Sequence, residues 1–385
     1  MMQKVITTER IPIKLWLNEL EEGALSQAKN VANLPFAFRH VAIMPDSHQG
    51  YGMPIGSVLA ADNCIVPNAV GVDIGCGMCS LRTNLKHAET EQIKKIMSVV
   101  RSRIPVGFNH HKEKQELKWM PDLKDDLPIS EQEFESACRQ VGTLGGGNHF
   151  IELQKGSDGY IWIMIHSGSR NIGYTVAAHY NQKAKEWNEK WFSEHTKDLA
   201  FFPADSDSFQ LYKTEMEYCI EFALSNRKLM MERVKESILE VFPDTVFTDF
   251  INKPHNFAAV EEHFGKEVII HRKGATRARL GELGMIPGSQ GTPSYIVRGL
   301  GNKESFESCS HGAGRIMSRN KARSKLNLEE EKKQLEKAGV IHAVRSKSDL
   351  DEAPGSYKDI RQVMELQKDL VAIEIELLPL AVIKG

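Results

Sequence analysis

GVDIGCGMC, residues 71–79, sets Asp73 and Cys76 among glycines 71, 75 and 77. Those glycines let the backbone fold tightly around the two side chains. A carboxylate and a thiolate buried side by side repel one another and lose water, and a metal ion removes both penalties. Three histidines are candidates to join them. His149 follows the triple glycine of GTLGGGNHFIEL (142–153), His166 closes the apolar run of IMIHSGSR (163–170), and His255 sits in NKPHNFA. Each has a plain use when taken singly: a turn for Asp73, a small buried hydrophobe for Cys76, a backbone carbonyl bond for His166, a surface loop for His255. Together they point to one metal site gathered from distant sequence. Five donors exceed what one tetrahedral ion takes, so two ions sharing a ligand fit, and a thiolate is able to bridge. Ligand type alone names zinc first, with Mn, Fe or Co behind.

Cys76 and Cys79 also form a C-x-x-C. A zinc ribbon needs a second pair, which this chain lacks, and a redox pair usually opens a helix, whereas a strand is expected after Cys79. Along a strand, positions three apart face opposite sides, so the two thiols do not share a ligand.

A second kind of chemistry gathers further on. Residues 271–319 hold eight Lys or Arg (272, 273, 277, 279, 298, 303, 315, 319) against three acids (282, 304, 307), a local excess of five in a chain of net charge −2. PGSQGTPS (287–294) and SCSHGAGRIMSR (308–319) add Gly-flanked serines and exposed backbone N–H groups, which suit phosphate oxygens. The glycines of HGAGR are expected to lead into a helix whose N-terminus favours an anion, with Arg315 near His311 on its first turn.

Short apolar or alternating runs separated by Gly, Pro and Asn make residues 36–85 β-rich: FAFRHVAIM, GSVLAAD, NCIVP and CSLRTNL. A helix is expected over about 89–103. Residues 109–135 are polar and read as an exposed excursion, followed by another short helix. NHFIELQ and YIWIMIH read as strands, the second covered on both faces because its apolar run is continuous. Two long helices are expected over about 169–197 and 208–241. In the second, Leu211, Tyr212, Met216, Cys219, Ile220, Phe222 and Ala223 form a broad apolar face. Short strands and glycine turns return over 267–311, a charged helix covers about 313–337, and VAIEIELLPLAVIKG closes the chain as a strand. The reading is α/β (α+β): one domain over 1–385 with a central sheet core and flanking helices.

Composition is ordinary for a soluble globular protein, 41% apolar and 26% charged. The net charge of −2 argues against whole-protein attraction to nucleic acid, so any such contact uses a local basic surface. No stretch approaches a membrane span and the N-terminus has no apolar signal region. Six dispersed cysteines look like reduced thiols. These features place the chain in the cytoplasm, with no membrane partner.

In combination, PDSHQGYG, GVDIGCGM, GTLGGGNHFIE, HSGSR, HNFA, HRKGATRA, PGSQGTPSYIV, SHGAGR and the C-terminal Lys-Gly stand in one order over nearly the whole chain. In this the sequence resembles the RtcB family of RNA-splicing and RNA-repair ligases, in a compact bacterial form. The resemblance implies a GTP- and Mn²⁺-dependent enzyme joining an RNA 3′-phosphate or 2′,3′-cyclic phosphate end to a 5′-hydroxyl end. It implies two Mn²⁺ ions held by Asp73, Cys76, His149, His166 and His255, with Cys76 bridging, and this overrides the zinc-first order. His311 matches the nucleophile that takes GMP covalently. Asn148, His149, Phe150, Ile151, Glu152, His255, Asn256, Pro287, Gly288, Ser289, Gln290, Ser294, His311, Gly312, Ala313, Gly314 and Lys384 match guanylate-binding positions, and Tyr357 flanks the guanine. An archease-type activator is an implied partner. Residues 105–135 depart from the family pattern, and Gln290 stands where many members carry Met; both departures bear on RNA choice, not on the chemical step. Two rival readings use the same residues: a metal-dependent phosphodiesterase or phosphatase without use of His311, and a non-enzymatic RNA-binding protein that keeps the fold. Both predict no covalent nucleotide.

Overall fold

The computed structural model describes residues 1–124, 126–191 and 198–385. Among these, two large sheets form the framework. One has six strands, ordered Lys4–Ile6, Ile13–Leu15, Ala37–His48, Ile55–Ala61, Lys266–Lys273 and Asn256–His263. The other has seven, ordered Phe247–Pro254, Gly77–Thr83, Ile161–Ser167, Phe150–Gly156, Val371–Lys384, Ser294–Gly299 and Leu283–Ile286. Helix and strand are mixed along the chain as the patterns predict, and the sheet core is built from two sheets.

Alternation explains how each sheet is covered. In Ile161–Ser167, Ile163 and Ile165 face a cluster with Ile93 and Val100 of helix Thr90–Arg103 and Met230 and Val234 of helix Asp207–Leu239. Trp162 and Met164 face the other way, toward Phe150, Met285 and Leu377. Both faces are dry, which is why this strand reads as one apolar run, and each buried Ile contributes on the order of 2 kcal/mol. The sheets pack on one another through Met44, Val58 and Ile270 of the first and Ile286, Tyr295 and Val297 of the second. Helix Glu22–Ala32 covers the remaining face of the first sheet with Ala28 and Val31.

One of the crossings between the two sheets takes a single residue. Phe247–Pro254 is an edge of the seven-stranded sheet and Asn256–His263 an edge of the six-stranded one, so His255 is the step between them. It is buried, not the surface loop residue it resembles in isolation.

Three expectations change. The excursion over 109–135 is partly core: Met120, Leu127 and Ile129 are buried, and helix Pro128–Gln140 begins inside it. That helix has no capping side chain of its own; Ile129 N and Ser130 N donate to the Glu215 carboxylate of helix Asp207–Leu239, at 3.0 and 3.1 Å. A cap supplied from another helix leaves no local signal. The charged helix over 313–337 is two, Arg319–Lys325 and Leu328–Lys337, so HGAGR does not open a helix. Arg315 instead bridges to Tyr357. The long helices are Arg170–Lys190 and Asp207–Leu239; the expected extension over 192–197 lies outside the described residues. Among the described residues, no helix is long and apolar enough to cross a membrane.

Candidate active site

Strand parity places the first donors. His166, Glu152 and Lys384 share a face of the seven-stranded sheet with Met164, Phe150 and Val382, while Cys79, Ile151 and Ile383 face the opposite core. Cys76 precedes strand Gly77–Thr83, and its carbonyl accepts from His255 N at 2.8 Å. The result is a compact group of ligand atoms. Cys76 Sγ lies 3.5 Å from His149 Nε2 and 3.3 Å from His166 Nε2. His166 Nε2 is 3.4 Å from His255 Nε2, and His149 Nε2 is 3.2 Å from Asp73 Oδ2.

The ring protons are placed by the backbone. His149 Nδ1 donates to Leu144 O at 3.0 Å and His166 Nδ1 to Asn148 O at 3.2 Å. A carbonyl only accepts, so the proton sits on Nδ1 and each Nε2 offers a lone pair to the cluster. Burial holds His166 and His255 well below the ordinary imidazole value, the neutral form a metal requires. Burial, reinforced by Asp73, pushes the Cys76 thiol up, so its thiolate form calls for a cation at the sulfur. The donors form two sets, Cys76–His166–His255 and Asp73–Cys76–His149, each with ligand atoms within 4.8 Å of one another. Cys76 belongs to both. This buried cluster is compatible with metal binding.

Helix Asp207–Leu239 ties the loops of the cluster together. Asn226 Oδ1 accepts from Gly142 N (2.7 Å) and Thr143 N (3.1 Å), and its Nδ2 donates to Ser167 Oγ (3.2 Å) and Gly168 O (3.0 Å). Arg227 Nη1 donates to Gly75 O at 2.9 Å and Ser167 O at 2.8 Å. The segments before Cys76, after His166 and leading to His149 thus hang from two consecutive side chains.

His311 stands beside this cluster, its ring centroid 4.9 Å from that of His255. Its Nδ1 is 2.6 Å from Oδ2 of the fully buried Asp46, which also accepts from His311 N (3.0 Å) and Gly312 N (3.2 Å). Burial pushes the Asp46 carboxyl up, but the His311 ring outweighs it, and the pKa lies below the ordinary value. An ionised Asp46 keeps the proton on Nδ1 and leaves Nε2 free. Gly314 makes the approach possible: φ is +74°, and a Cβ there would lie 2.1 Å from Asp46 O.

These groups open on a cavity of about 1050 Å³ that includes Asp73, Cys76, His166, His255, His311 and Lys384 in its lining. Asn148, Phe150, Glu152, Asn256, Pro287, Gly288, Ser289, Gln290, Gly312, Ala313, Gly314 and Tyr357 line it too. Across from the donors, buried Glu352 receives Lys384 Nζ at 3.1 Å, Arg315 Nη1 at 3.3 Å and the Tyr357 hydroxyl. Burial raises the Glu352 carboxyl, yet Lys384, Tyr357 and the arginines prevail and hold it below the usual range. Burial pushes Glu152 up to about 7.

Some predicted residues are placed otherwise. The Ile151 side chain turns into the opposite core, and Ser294 lies behind the cavity, its Oγ accepting from Gly288 N at 3.2 Å and Gln154 Nε2 at 3.1 Å. The backbone N–H groups expected to await phosphate are engaged: Gly288 N with Ser294, Ser289 N with Thr292 Oγ1 at 2.7 Å, His311 N and Gly312 N with Asp46. Asp46, Asn226, Arg227 and Glu352 are not singled out by residue type or spacing. For Asp46 a signal exists in the Gly- and His-rich MPDSHQGYG; the other three sit in ordinary helical or loop text.

A family model described as "tRNA-splicing ligase RtcB" matches residues 27–127 and 120–385. The chain is 38% identical to "RNA-splicing ligase RtcB" of Escherichia coli (strain K12), over 100% of both chains. It is 31% identical to "tRNA-splicing ligase RtcB" of Thermococcus kodakarensis, covering 95% of this chain and 92% of that one. The corresponding protein of Methanococcus maripaludis is 30% identical over 98% and 95%.

Proposed function

This chain belongs to the RtcB family, and on that premise we propose that it is an RNA ligase joining 3′-phosphate or 2′,3′-cyclic phosphate ends to 5′-hydroxyl ends with GTP and Mn²⁺. The observation that carries the reading is His311 paired with the buried Asp46 beside a donor cluster whose two halves share Cys76. A phosphodiesterase needs the cluster alone and gives no use to an oriented imidazole.

Asp73, Cys76 and His149 would hold one ion and Cys76, His166 and His255 the other. Bound there, Mn²⁺ would supply positive charge to triphosphate and RNA phosphate oxygens. His311 Nε2 attacks the α-phosphorus of GTP; the P–N bond forms as the bond to the bridging oxygen breaks and pyrophosphate leaves. The Nδ1 proton stays in its bond to Asp46, so the charge growing on the ring meets a buried carboxylate. GMP then passes from His311 to the RNA 3′-phosphate, which makes that phosphate attackable by a 5′-hydroxyl with GMP leaving. A cyclic phosphate is first opened by water. Glu152, Lys384 and Tyr357 line the cavity where the guanine would sit, with Asn148 and Asn256 nearer the donors.

The test is covalent labelling. Protein incubated with Mn²⁺ and GTP labelled at the α-phosphate is expected to acquire an acid-labile label, lost in His311→Ala and slowed about 100-fold in Asp46→Asn. Absence of any adduct across a range of Mn²⁺ concentrations overturns the ligase reading.

A further inference from the structure

Phe108 is 99% exposed, more than any other large apolar side chain among the described residues. A phenylalanine wholly in water forgoes a large burial, and its surroundings are not those of a loose loop. Asn109 N closes a tight turn onto Val106 O at 3.2 Å, and Asn109 Nδ2 adds a second bond to the same carbonyl at 3.1 Å. The turn is fastened to the glycine-rich segment that carries Asn148 and His149: Leu144 N donates to Pro105 O and Gly107 N to Gly145 O, both at 3.0 Å. Arg170 Nη2 donates to Gly107 O at 2.9 Å. Beside Gly107, whose φ is +65°, there is open space within 4 Å of a Cβ position. The C-terminal Gly385 also lies against Gly145 and Gly146, next to Lys384 of the cavity. An aromatic ring is therefore presented to solvent on a braced turn bonded to the segment that supplies a metal donor.

Charge around the turn has one sign in excess where it matters. Residues 101–114 carry Arg101, Arg103, Lys112 and Lys114 against Glu113 alone, and Arg170 lies beneath the turn. Arg103 and Lys114 pair with carboxylates, whereas Arg101 and Lys112 have no carboxylate partner among the described residues. Unpaired cations flanking an exposed aromatic ring form the combination that binds single-stranded nucleic acid, the cations taking phosphates and the ring a base face.

We propose that Phe108 is a stacking platform for a base of the RNA strand close to the end being sealed, held at the rim of the cavity by the 105–109 turn. The inference rests on the RNA-ligase reading and adds the substrate contact that reading lacks.

The experiment uses the full chain with Mn²⁺ and GTP and the variants Phe108→Ala and Phe108→Trp. Labelling from α-labelled GTP involves no RNA, and its rate is expected to stay at the wild-type level in both. Sealing of an oligoribonucleotide with a 2′,3′-cyclic phosphate end is expected to show KM for RNA raised about tenfold in Phe108→Ala, the loss of one stacked base, with Phe108→Trp restoring it to within about twofold. In Phe108→Trp, fluorescence is expected to be quenched on adding RNA. That readout stands even where the protein forms no nucleotide adduct, so failure of the ligase reading and of this one are distinguishable. Unchanged KM in Phe108→Ala together with an unquenched tryptophan overturns the proposal. So does an effect seen only when an activating protein is added, which would assign Phe108 to a protein partner.

Discussion

Cys76 and Cys79 stand three residues apart and meet opposite environments. Cys76 Sγ faces two imidazoles, whereas Cys79 faces the apolar cluster around Ile163 and Ile165, with its thiol bonded weakly to Arg227 O at 3.8 Å. Burial pushes the Cys79 thiol up to about 12, so it stays protonated. Cys76→Ala is expected to lose at least about half of the bound metal, while Cys79→Ala keeps its metal and loses about 1 kcal/mol of stability from the core. Metal content after dialysis and urea denaturation check this, and equal metal loss in the two variants would contradict it. Strand parity alone separates these cysteines, so their different fates are legible in the sequence. Asp46 is not legible in the same way: nothing in MPDSHQGYG says which of its polar side chains meets His311, 265 residues away.

At the scale of elements, helix Asp207–Leu239 shows where periodicity stops informing. Its apolar stripe, with Tyr212, Met216, Cys219 and Phe222 buried, is plain from 3–4-residue spacing. Asn226 and Arg227 lie on the same helix, also buried, and polar residues in a helical pattern ordinarily mark its wet face. Here they hold the donor loops. Asn226→Ala leaves Gly142 N and Thr143 N without their acceptor inside the protein, a loss of at least about 2 kcal/mol. The variant is expected to unfold at lower urea and to bind Mn²⁺ more weakly, although Asn226 contributes no donor atom. Metal titration followed by a competing chelator reads the second effect; unchanged affinity would show that the loops keep their places without the helix.

At the scale of the molecule, burial of histidines ties stability to pH. His40, His48 and His271 are held neutral by burial, their pKa values lowered to about 4 from an ordinary 6.5. The unfolded chain takes up these protons as the pH falls through 6.5, and the folded protein only near 4. Stability is therefore complete above about pH 6.5 and falls as the pH drops through that window, by up to ~3 kcal/mol for each group. Urea midpoints measured from pH 7.5 down to 4.5 are expected to decline steadily, and a flat profile would contradict the neutral, buried state of these rings.

The kinds of donor present, the strands and helices with strong periodicity, the opposite facing of Cys76 and Cys79, and the family are all readable before folding. These depend on residue type, local spacing and the order of motifs, all of which are written along the chain. Folding in three dimensions is what makes the core two sheets, sets His255 at a one-residue step between them, and brings Asp46 and Glu352 to His311 and Lys384. It also leaves the backbone N–H groups of PGSQG and HGA engaged within the protein and Phe108 standing in water on a braced turn. Such pairings depend on how sheets stack and on which distant loops a helix gathers. A local pattern carries no information about either.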